Sequence, residues 1–287
     1  MPSQRNIQWF PGHMAKTRRM ITENLKNVDA VIELLDARIP YSSRNPEISK
    51  LTANKPKIIL LNKSSLADPA MTAKWIERYS DDNTVCIETD CITGMGLNKI
   101  APALKNLCRE KLERYEDKGM SGRMLKAMVL GIPNVGKSSL INKICGNKKA
   151  KVENRPGVTL DKQWVPTNIG ILLLDMPGIL WPKFEDITVG ENLAITGAIK
   201  DDILDVETIA CALCARLRTI YPSLLESRYK LETSQYSELD DYDLLSLVGR
   251  KRGFLISGGD IDTERTSNML IDEYRACKIG RITLDKI

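Results

Sequence analysis

The sequence predicts an α/β fold in which a doubly wound, largely parallel sheet is followed by an all-α C-terminal part. Three observations predict it. Apolar runs at 28–35, 58–61, 84–87, 127–130 and 171–174 are each bounded by turn formers or charges, as buried strands of a parallel sheet are. Helical patterns separate these runs, and strand, helix, strand in repetition winds helices onto both faces of a sheet. Beyond Pro182 the alternation stops and helical periodicity alone remains.

Between the runs the spacing predicts a helix at 70–79 and a long, charge-rich one at about 97–117. After 182 it predicts helices at 189–199, 206–220, 239–249 and 262–277. In the second of these Ile209, Leu213, Leu217 and Ile220 share one face. Asp262 suits the N-cap of the last helix, and Gly280 follows its end. The change of pattern sets a domain boundary near 185, dividing the chain into 1–185 and 186–287.

With 287 residues, 43% of them hydrophobic and 28% charged, the chain can bury a sizeable core. No stretch approaches the ~20 consecutive apolar residues of a transmembrane helix, and the first residues lack the apolar run of a signal peptide. Seven scattered cysteines, an odd count, argue against a disulfide framework and for a reducing cytoplasm. The net charge of +5 is unevenly spread. Residues 1–22 hold Arg5, Lys16, Arg18 and Arg19 and no carboxylate. Lys143, Lys148, Lys149, Lys151 and Arg155 form a second cluster, and Arg250, Lys251 and Arg252 a third. Such patches suit a polyanion, nucleic acid first, and suit an ordinary solvated surface equally well.

The strongest chemical signal is GIPNVGKS at 131–138, which matches G-x-x-x-x-G-K-[ST] between a predicted strand and a predicted helix. Polyphosphate binding needs backbone N–H groups converging at a helix N-terminus, hence the glycines. Pro133, Asn134, Val135, Gly136, Lys137, Ser138 and Ser139 would wrap the phosphates, Lys137 would reach the β and γ groups, and the Ser138 hydroxyl would ligate Mg²⁺. DMPG at 175–178 follows the strand at 171–174. Asp175 suits a carboxylate holding Mg²⁺ through water, and Gly178 suits an N–H donor to the γ-phosphate. Thr159, in RPGVT between these motifs, is the candidate switch threonine for Mg²⁺.

A third element is out of order. Asn62 and Lys63 open NKSS after the strand at 58–61, close to the N-K-x-D that reads guanine, and IETDCITGMG at 87–96 stands where the second base loop belongs. Both precede the phosphate loop, the motif order of a circularly permuted Ras-like domain. A sheet tolerates such a cut because the site depends on which strand tips converge.

WFPGHMAK at 9–16, LLDARIP at 34–40, the permuted motifs and RKRGFLISGGDIDTERTSNML at 250–270 resemble the circularly permuted GTPases of the ribosome biogenesis GTPase A (YlqF) family, over essentially the whole chain. The resemblance implies a circularly permuted Ras-like P-loop GTPase domain followed by a helical, RNA-contacting module. It implies GTP hydrolysis with Mg²⁺, coupled to late assembly of the large ribosomal subunit in the bacterial cytoplasm. The expected partners are a large-subunit precursor and its rRNA, with no membrane, and the expected state off the ribosome is a monomer.

Several positions depart from the pattern. The family's guanine-reading aspartate falls at Ser65, where a hydroxyl replaces charge-assisted hydrogen bonds worth roughly 1.5–3 kcal/mol. Weakened guanine selectivity with retained triphosphate binding is therefore expected. Ile92 stands where a lysine is common, in a loop that acts mainly through backbone. Ile179 follows Gly178 in place of a water-orienting glutamine, so the hydrolytic group must come from elsewhere. His13, the one histidine of the chain, follows a turn expected at Pro11-Gly12. It is either the group that positions or deprotonates water or a structural or RNA-contacting residue. Asn134 is either a turn former after Pro133 or a ligand for K⁺ near the β/γ bridge, as in potassium-activated GTPases. The rival reading from another class is a nucleotide-binding RNA scaffold with little catalysis and relaxed base specificity.

Overall fold

The computed structural model describes residues 11–120, 122–146, 163–181, 184, 186–199 and 205–287, with the side chains of the first helix described from Arg18 onward. Six strands form one sheet: β1 (Ala30–Asp36), β2 (Lys57–Asn62), β3 (Thr84–Glu88), β4 (Leu125–Gly131), β5 (Gln163–Pro166) and β6 (Ile171–Asp175). Their spatial order is β3-β2-β1-β4-β6-β5, parallel throughout except for β5, which runs antiparallel to β6. The strand that leads into 131–138 thus lies at the centre of the sheet, and the N-terminal strands extend one side of it. This is the permuted order. Every residue of β1 and β2 is buried, which is why both read as largely apolar runs without alternation, with Glu33 the one charge inside β1.

β5 was not expected. It is a short edge strand with one buried residue, Val165, and it ends at Pro166, so it gives neither an apolar run nor a usable alternation. Register levels the strand tips: Asp36 pairs with Asn62, Leu34 with Gly131 and Val129 with Asp175. The loops after β1, β2, β4 and β6 therefore leave the same edge, where ligands of open α/β sheets bind.

The sheet is flanked by α1 (Pro11–Leu25), α2 (Pro46–Leu51), α3 (Pro69–Tyr79), α4 (Ile100–Leu107), α5 (Arg109–Asp117) and α6 (Lys137–Cys145). Two expectations are corrected here. Pro11 and Gly12 begin α1 instead of making a turn, because proline in the first helical turn has a preset φ and no N–H to lose. The single helix expected at 97–117 is a 3₁₀ turn at Leu97–Lys99 followed by two helices that meet at Cys108, whose ψ of 18° leaves the helical range. Cys108 is buried at that corner, whereas α5 buries no residue, so packing ends one helix where solvent begins the next.

The C-terminal part comprises α7 (Ile187–Ile195), α8 (Val206–Ile220), α9 (Pro222–Tyr229), α10 (Asp241–Lys251) and α11 (Thr263–Arg275). Among the described residues after 187 there is no strand beyond an isolated bridge of Leu255 with Ile261. Asp186, Asp205, Asp240 and Asp262 cap α7, α8, α10 and α11, each accepting a backbone N–H of the first turn. α8 occupies the expected span and buries Ile209, Leu213 and Leu217.

One continuous apolar cluster joins the sheet to these helices, from Leu34 and Ile58 through Trp181 to Leu213 and Tyr274. The chain end then returns to the site edge. Ile282 N–H donates to Leu66 O at 3.1 Å and Leu284 N–H to Arg38 O at 2.7 Å. Arg281 donates to Ala67 O and Ser64 O, each at 2.8 Å.

Candidate nucleotide site

β4 ends at Gly131 with φ +152°, where an added Cβ would lie 2.7 Å from Leu34 O. The loop passes Asn134 at φ +58°, a left-handed conformation asparagine tolerates, and enters α6 through Gly136 at φ +106°. At the start of α6 the buried Lys137 turns its ammonium back into the loop, donating to Gly131 O at 3.0 Å and Ile132 O at 2.7 Å. Burial draws its pKa down to about 8 against the attraction of Asp175. Ser138 and Ser139 follow in the first turn of α6, half-buried.

Asp175 ends β6, two ladder positions before Gly131 on the neighbouring strand. Burial raises its pKa, Lys137 opposes the rise, and its Oδ1 is buried without a hydrogen-bond partner. An orphaned carboxylate oxygen beside a helix start bearing a serine hydroxyl is a hard-oxygen donor set, and it fits Mg²⁺. Gly178 passes so close that a Cβ would stand 2.9 Å from Lys137 Nζ and 3.0 Å from Pro133 Cα. The DMPG turn and the phosphate loop are thus in contact. Thr159 lies outside the described residues, as does the side chain of His13.

The other half of the site is held by side chains. Asn62 donates from Nδ2 to Val135 O at 2.7 Å and accepts on Oδ1 from Cys91 N–H at 3.0 Å. One residue so ties the phosphate loop, the end of β2 and the loop after β3. A Cβ on Gly136 would overlap that amide at 2.3 Å. Lys63, left-handed at φ 60°, pairs with Asp36 at 3.0 Å. Arg38 grips the same carboxylate twice, at 2.9 and 2.7 Å. Burial pushes the Asp36 carboxyl up, and Arg38 and Lys63 hold it far below the ordinary range. Ser65 is exposed, and its hydroxyl donates to Asp90 Oδ2. Asp68, three residues on, caps α3 and takes no place in the site.

Sequence reasoning missed Asp36, Arg38 and Asp90. The first two had a signal: an Asp-Ala-Arg triplet at the tip of β1, where the chain has no other reason to carry charge. Asp90 had none, because its meaning depends on which side chain stands opposite.

A family model described as 50S ribosome-binding GTPase matches residues 126–221. Ribosome biogenesis GTPase A of Priestia megaterium is 47% identical over 280 residues, covering 97% of this chain and 96% of its own. The protein of that name from Bacillus pumilus is 46% identical over 280 residues, 98% of each. The chain belongs to the ribosome biogenesis GTPase A family. It is a GTPase and a ribosome biogenesis factor. The GDP-bound structure of TM YlqF superposes with a TM-score of 0.62 at 25% identity, over 93% of this chain and 99% of that one.

In this ribosome biogenesis GTPase A member the segment after DMPG is bonded on both sides. Ile179 N–H donates to Gly131 O at 3.2 Å, and Ile179 O accepts from Asn45 Nδ2 at 3.3 Å. The Ile179 side chain is buried in a cluster with Met128, Leu174 and, from α1, Ile21. Two residues on, Trp181 packs edge-on to Phe184 within the core shared with the C-terminal helices. Asn134 Nδ2 donates to Gly197 O at 2.8 Å, just after α7. Among the described residues no helix is long and apolar enough to cross a membrane.

Proposed function

We propose that the chain binds and slowly hydrolyses GTP while assisting assembly of the large ribosomal subunit, with nucleotide state setting its affinity for a large-subunit precursor and its rRNA. The observation that carries this reading is the double hydrogen bond of Asn62, which makes one pocket of the phosphate loop and the base-facing loops. In that pocket Pro133, Asn134, Val135, Gly136, Lys137, Ser138, Ser139 and Gly178 take the phosphates, and Asn62, Lys63 and Ser65 take guanine. Lys137 leaves the carbonyls of Gly131 and Ile132 for the stronger charge of a β/γ-phosphate.

Ser138, Thr159 and Asp175 would hold Mg²⁺, which would supply charge that neutralises the phosphates. Asn134, whose Nδ2 donates to Gly197 O, would offer its Oδ1 to K⁺. Ile179 is turned into the core and cannot orient water, so we assign that task to His13 at the head of α1, the helix whose Ile21 packs in the cluster with Ile179.

The two parts, 1–185 and 186–287, act as switch and reader. Movement of Gly178 and Ile179 on loss of the γ-phosphate pulls on Trp181 and through it on the helical core. The setting is the cytoplasm, and the protein is a monomer off the ribosome. The test is co-sedimentation with large-subunit precursors in GDP, in a non-hydrolysable GTP analogue and without nucleotide, alongside GTP turnover on the same particles. Tighter association in the analogue and stimulated turnover are expected, and equal association in all three overturns the switch. Turnover that stays at background on those particles would mean that they are not the activator of hydrolysis.

A further inference from the structure

We infer that Asp90 sets the base selectivity of this site by locking Ser65 as a hydrogen-bond acceptor. The inference rests on the assignment of 62–65 to the base and concerns how a chain without a carboxylate at 65 reads guanine. A free serine hydroxyl carries one proton and two lone pairs and rotates to suit its partner. It would donate to the N1 of adenine as readily as it would accept from the N1–H of guanine, and would discriminate neither.

Ser65 is not free in this way. Its proton is committed to Asp90 Oδ2, so what it presents to the site is lone pairs alone. Guanine offers N1–H and the 2-amino group to such an acceptor. Adenine offers an unprotonated N1 and no amino group at position 2. Presenting the wrong base leaves Ser65 facing a second acceptor, and mismatched polar groups discriminate far more strongly than shape does.

The lock is rigid because Asp90 is itself held. Its Oδ1 accepts from Ile92 N–H at 2.8 Å and Thr93 N–H at 3.1 Å. Its own N–H donates to Met95 O at 3.1 Å, and its carbonyl accepts from Gly94 N–H at 2.7 Å. Asp90 is 3% exposed, behind an exposed Ser65. Burial pushes its carboxyl up, but the bonds from Ser65, Thr93 and Ile92 hold it below the ordinary value, so it stays an acceptor at neutral pH. The neighbouring pair fixes the register. Ser64 donates to Thr89 O from both N–H and Oγ, at 3.2 and 2.9 Å, and Arg281 holds Ser64 O from the chain end. The negative charge that an aspartate at 65 would place against the base therefore sits one hydrogen bond behind it.

The experiment measures binding of fluorescent GDP and ADP to the full chain and to three variants, with tripolyphosphate displacement as the control for an intact phosphate loop. In Asp90→Asn the carboxamide keeps its oxygen for Ile92 and Thr93 and turns its NH₂ to Ser65, which reverses the hydrogen bond and releases the hydroxyl proton toward the base. The GDP-to-ADP affinity ratio is expected to fall about tenfold or more, with tripolyphosphate binding unchanged. Ser65→Ala, at an exposed position that does not threaten folding, is expected to lose GDP affinity about tenfold and to gain ADP affinity, because the mismatched acceptor is gone. The transposed pair Ser65→Asp with Asp90→Ser is expected to restore the ratio. A wild-type protein that binds GDP and ADP equally, or Asp90→Asn and Ser65→Ala proteins that keep the wild-type ratio within about twofold, overturns the inference. Failure of the wild-type chain to bind GDP at all would instead remove the nucleotide-site reading beneath it.

Discussion

At the end of the site proposed to take the phosphates the geometry is carried by backbone: Gly131 and Gly136 hold φ values that favour glycine, and Gly178 leaves no room for a Cβ beside Lys137 and Pro133. At the end proposed to take the base it is carried by side chains from three separate stretches, Asp36 and Arg38, Asn62 to Ser65, and Asp90. The charges differ accordingly. Burial works against the charged forms of all three groups, and it prevails at Lys137 and Asp175, whereas Arg38 and Lys63 together outweigh it and keep Asp36 ionised. A phosphate end held in this way is poised for a ligand, and a base end held in this way is already satisfied. Removing a charge should therefore cost binding at the first and folding at the second.

The largest effect is expected from Asp36→Asn. It leaves the guanidinium of Arg38 buried and Lys63 without its partner, and breaking a buried pair on one side costs roughly 3–5 kcal/mol. At about 2–4 °C per kcal/mol for a chain of this size, thermal melting should fall by about 10 °C. The sign with pH follows. The folded Asp36 carboxyl lies below its unfolded value of 3.8, so its contribution is complete above that value and is lost as pH falls through it toward the folded one. Asp175, raised by burial, works the other way and opposes folding in its ionised form. The gap in melting temperature between the wild type and Asp36→Asn should thus stay constant from pH 7 to pH 4 and shrink as pH falls from 4 toward 2. A gap that does not shrink would place the pair's stabilisation elsewhere.

Lys137→Ala tests the opposite end. GTP affinity should fall about 100-fold, close to 2.7 kcal/mol, because a charge-assisted contact to the β/γ groups is gone. Thermal melting of the nucleotide-free protein should fall less than in Asp36→Asn, since the relief of a desolvated ammonium offsets part of what the Gly131 and Ile132 carbonyls lose with their donor. A large loss of stability with little loss of affinity would erase the contrast between the ends.

The same contrast explains what was legible in the sequence. Backbone-built features need glycine and proline at fixed offsets, so the phosphate loop, DMPG and their strands could be placed from residues alone, and the permuted order followed from the motifs. Side-chain-built features depend on pairs far apart in the chain. Ser65 and Asp90 are 25 residues apart, and Ser65 read in isolation pointed to weakened guanine selectivity. β5 escaped notice because only Val165 of its residues is buried, and the 97–117 helix was overextended because the corner at Cys108 is imposed by tertiary packing. The return of the chain end to Leu66 and Arg38 carries no local pattern at all.

Asn62 belongs to both ends, and Asn62→Ala should have an intermediate effect on each. Two buried hydrogen bonds vanish and leave Val135 O and Cys91 N–H without partners, at about 1–3 kcal/mol per unsatisfied group. Melting by calorimetry should drop by several degrees, with GDP affinity reduced about 10- to 50-fold by fluorescence titration. If affinity for tripolyphosphate stays at the wild-type level while GDP affinity falls, the bond to Val135 positions only the base. If both fall together, Asn62 also shapes the phosphate loop.

The smallest effect is expected at Ile92. Its side chain is 83% exposed, and its part in the base loop is played by backbone: its N–H donates to Asp90 Oδ1 at 2.8 Å, and its carbonyl accepts from Lys143 Nζ at 3.3 Å. Ile92→Lys alters neither bond and places a flexible ammonium in water near Lys143, where screening leaves little of their repulsion. GDP affinity should change less than about twofold, under 0.5 kcal/mol. A rise of tenfold would mean that a side chain at 92 reaches the base or ribose, and the base end would then have a surface-borne component in addition to its buried frame. A tenfold fall would mean that the exposed isoleucine itself packs on the bound nucleotide. Either result would move the boundary between the backbone-built and side-chain-built halves of the site into the loop after β3.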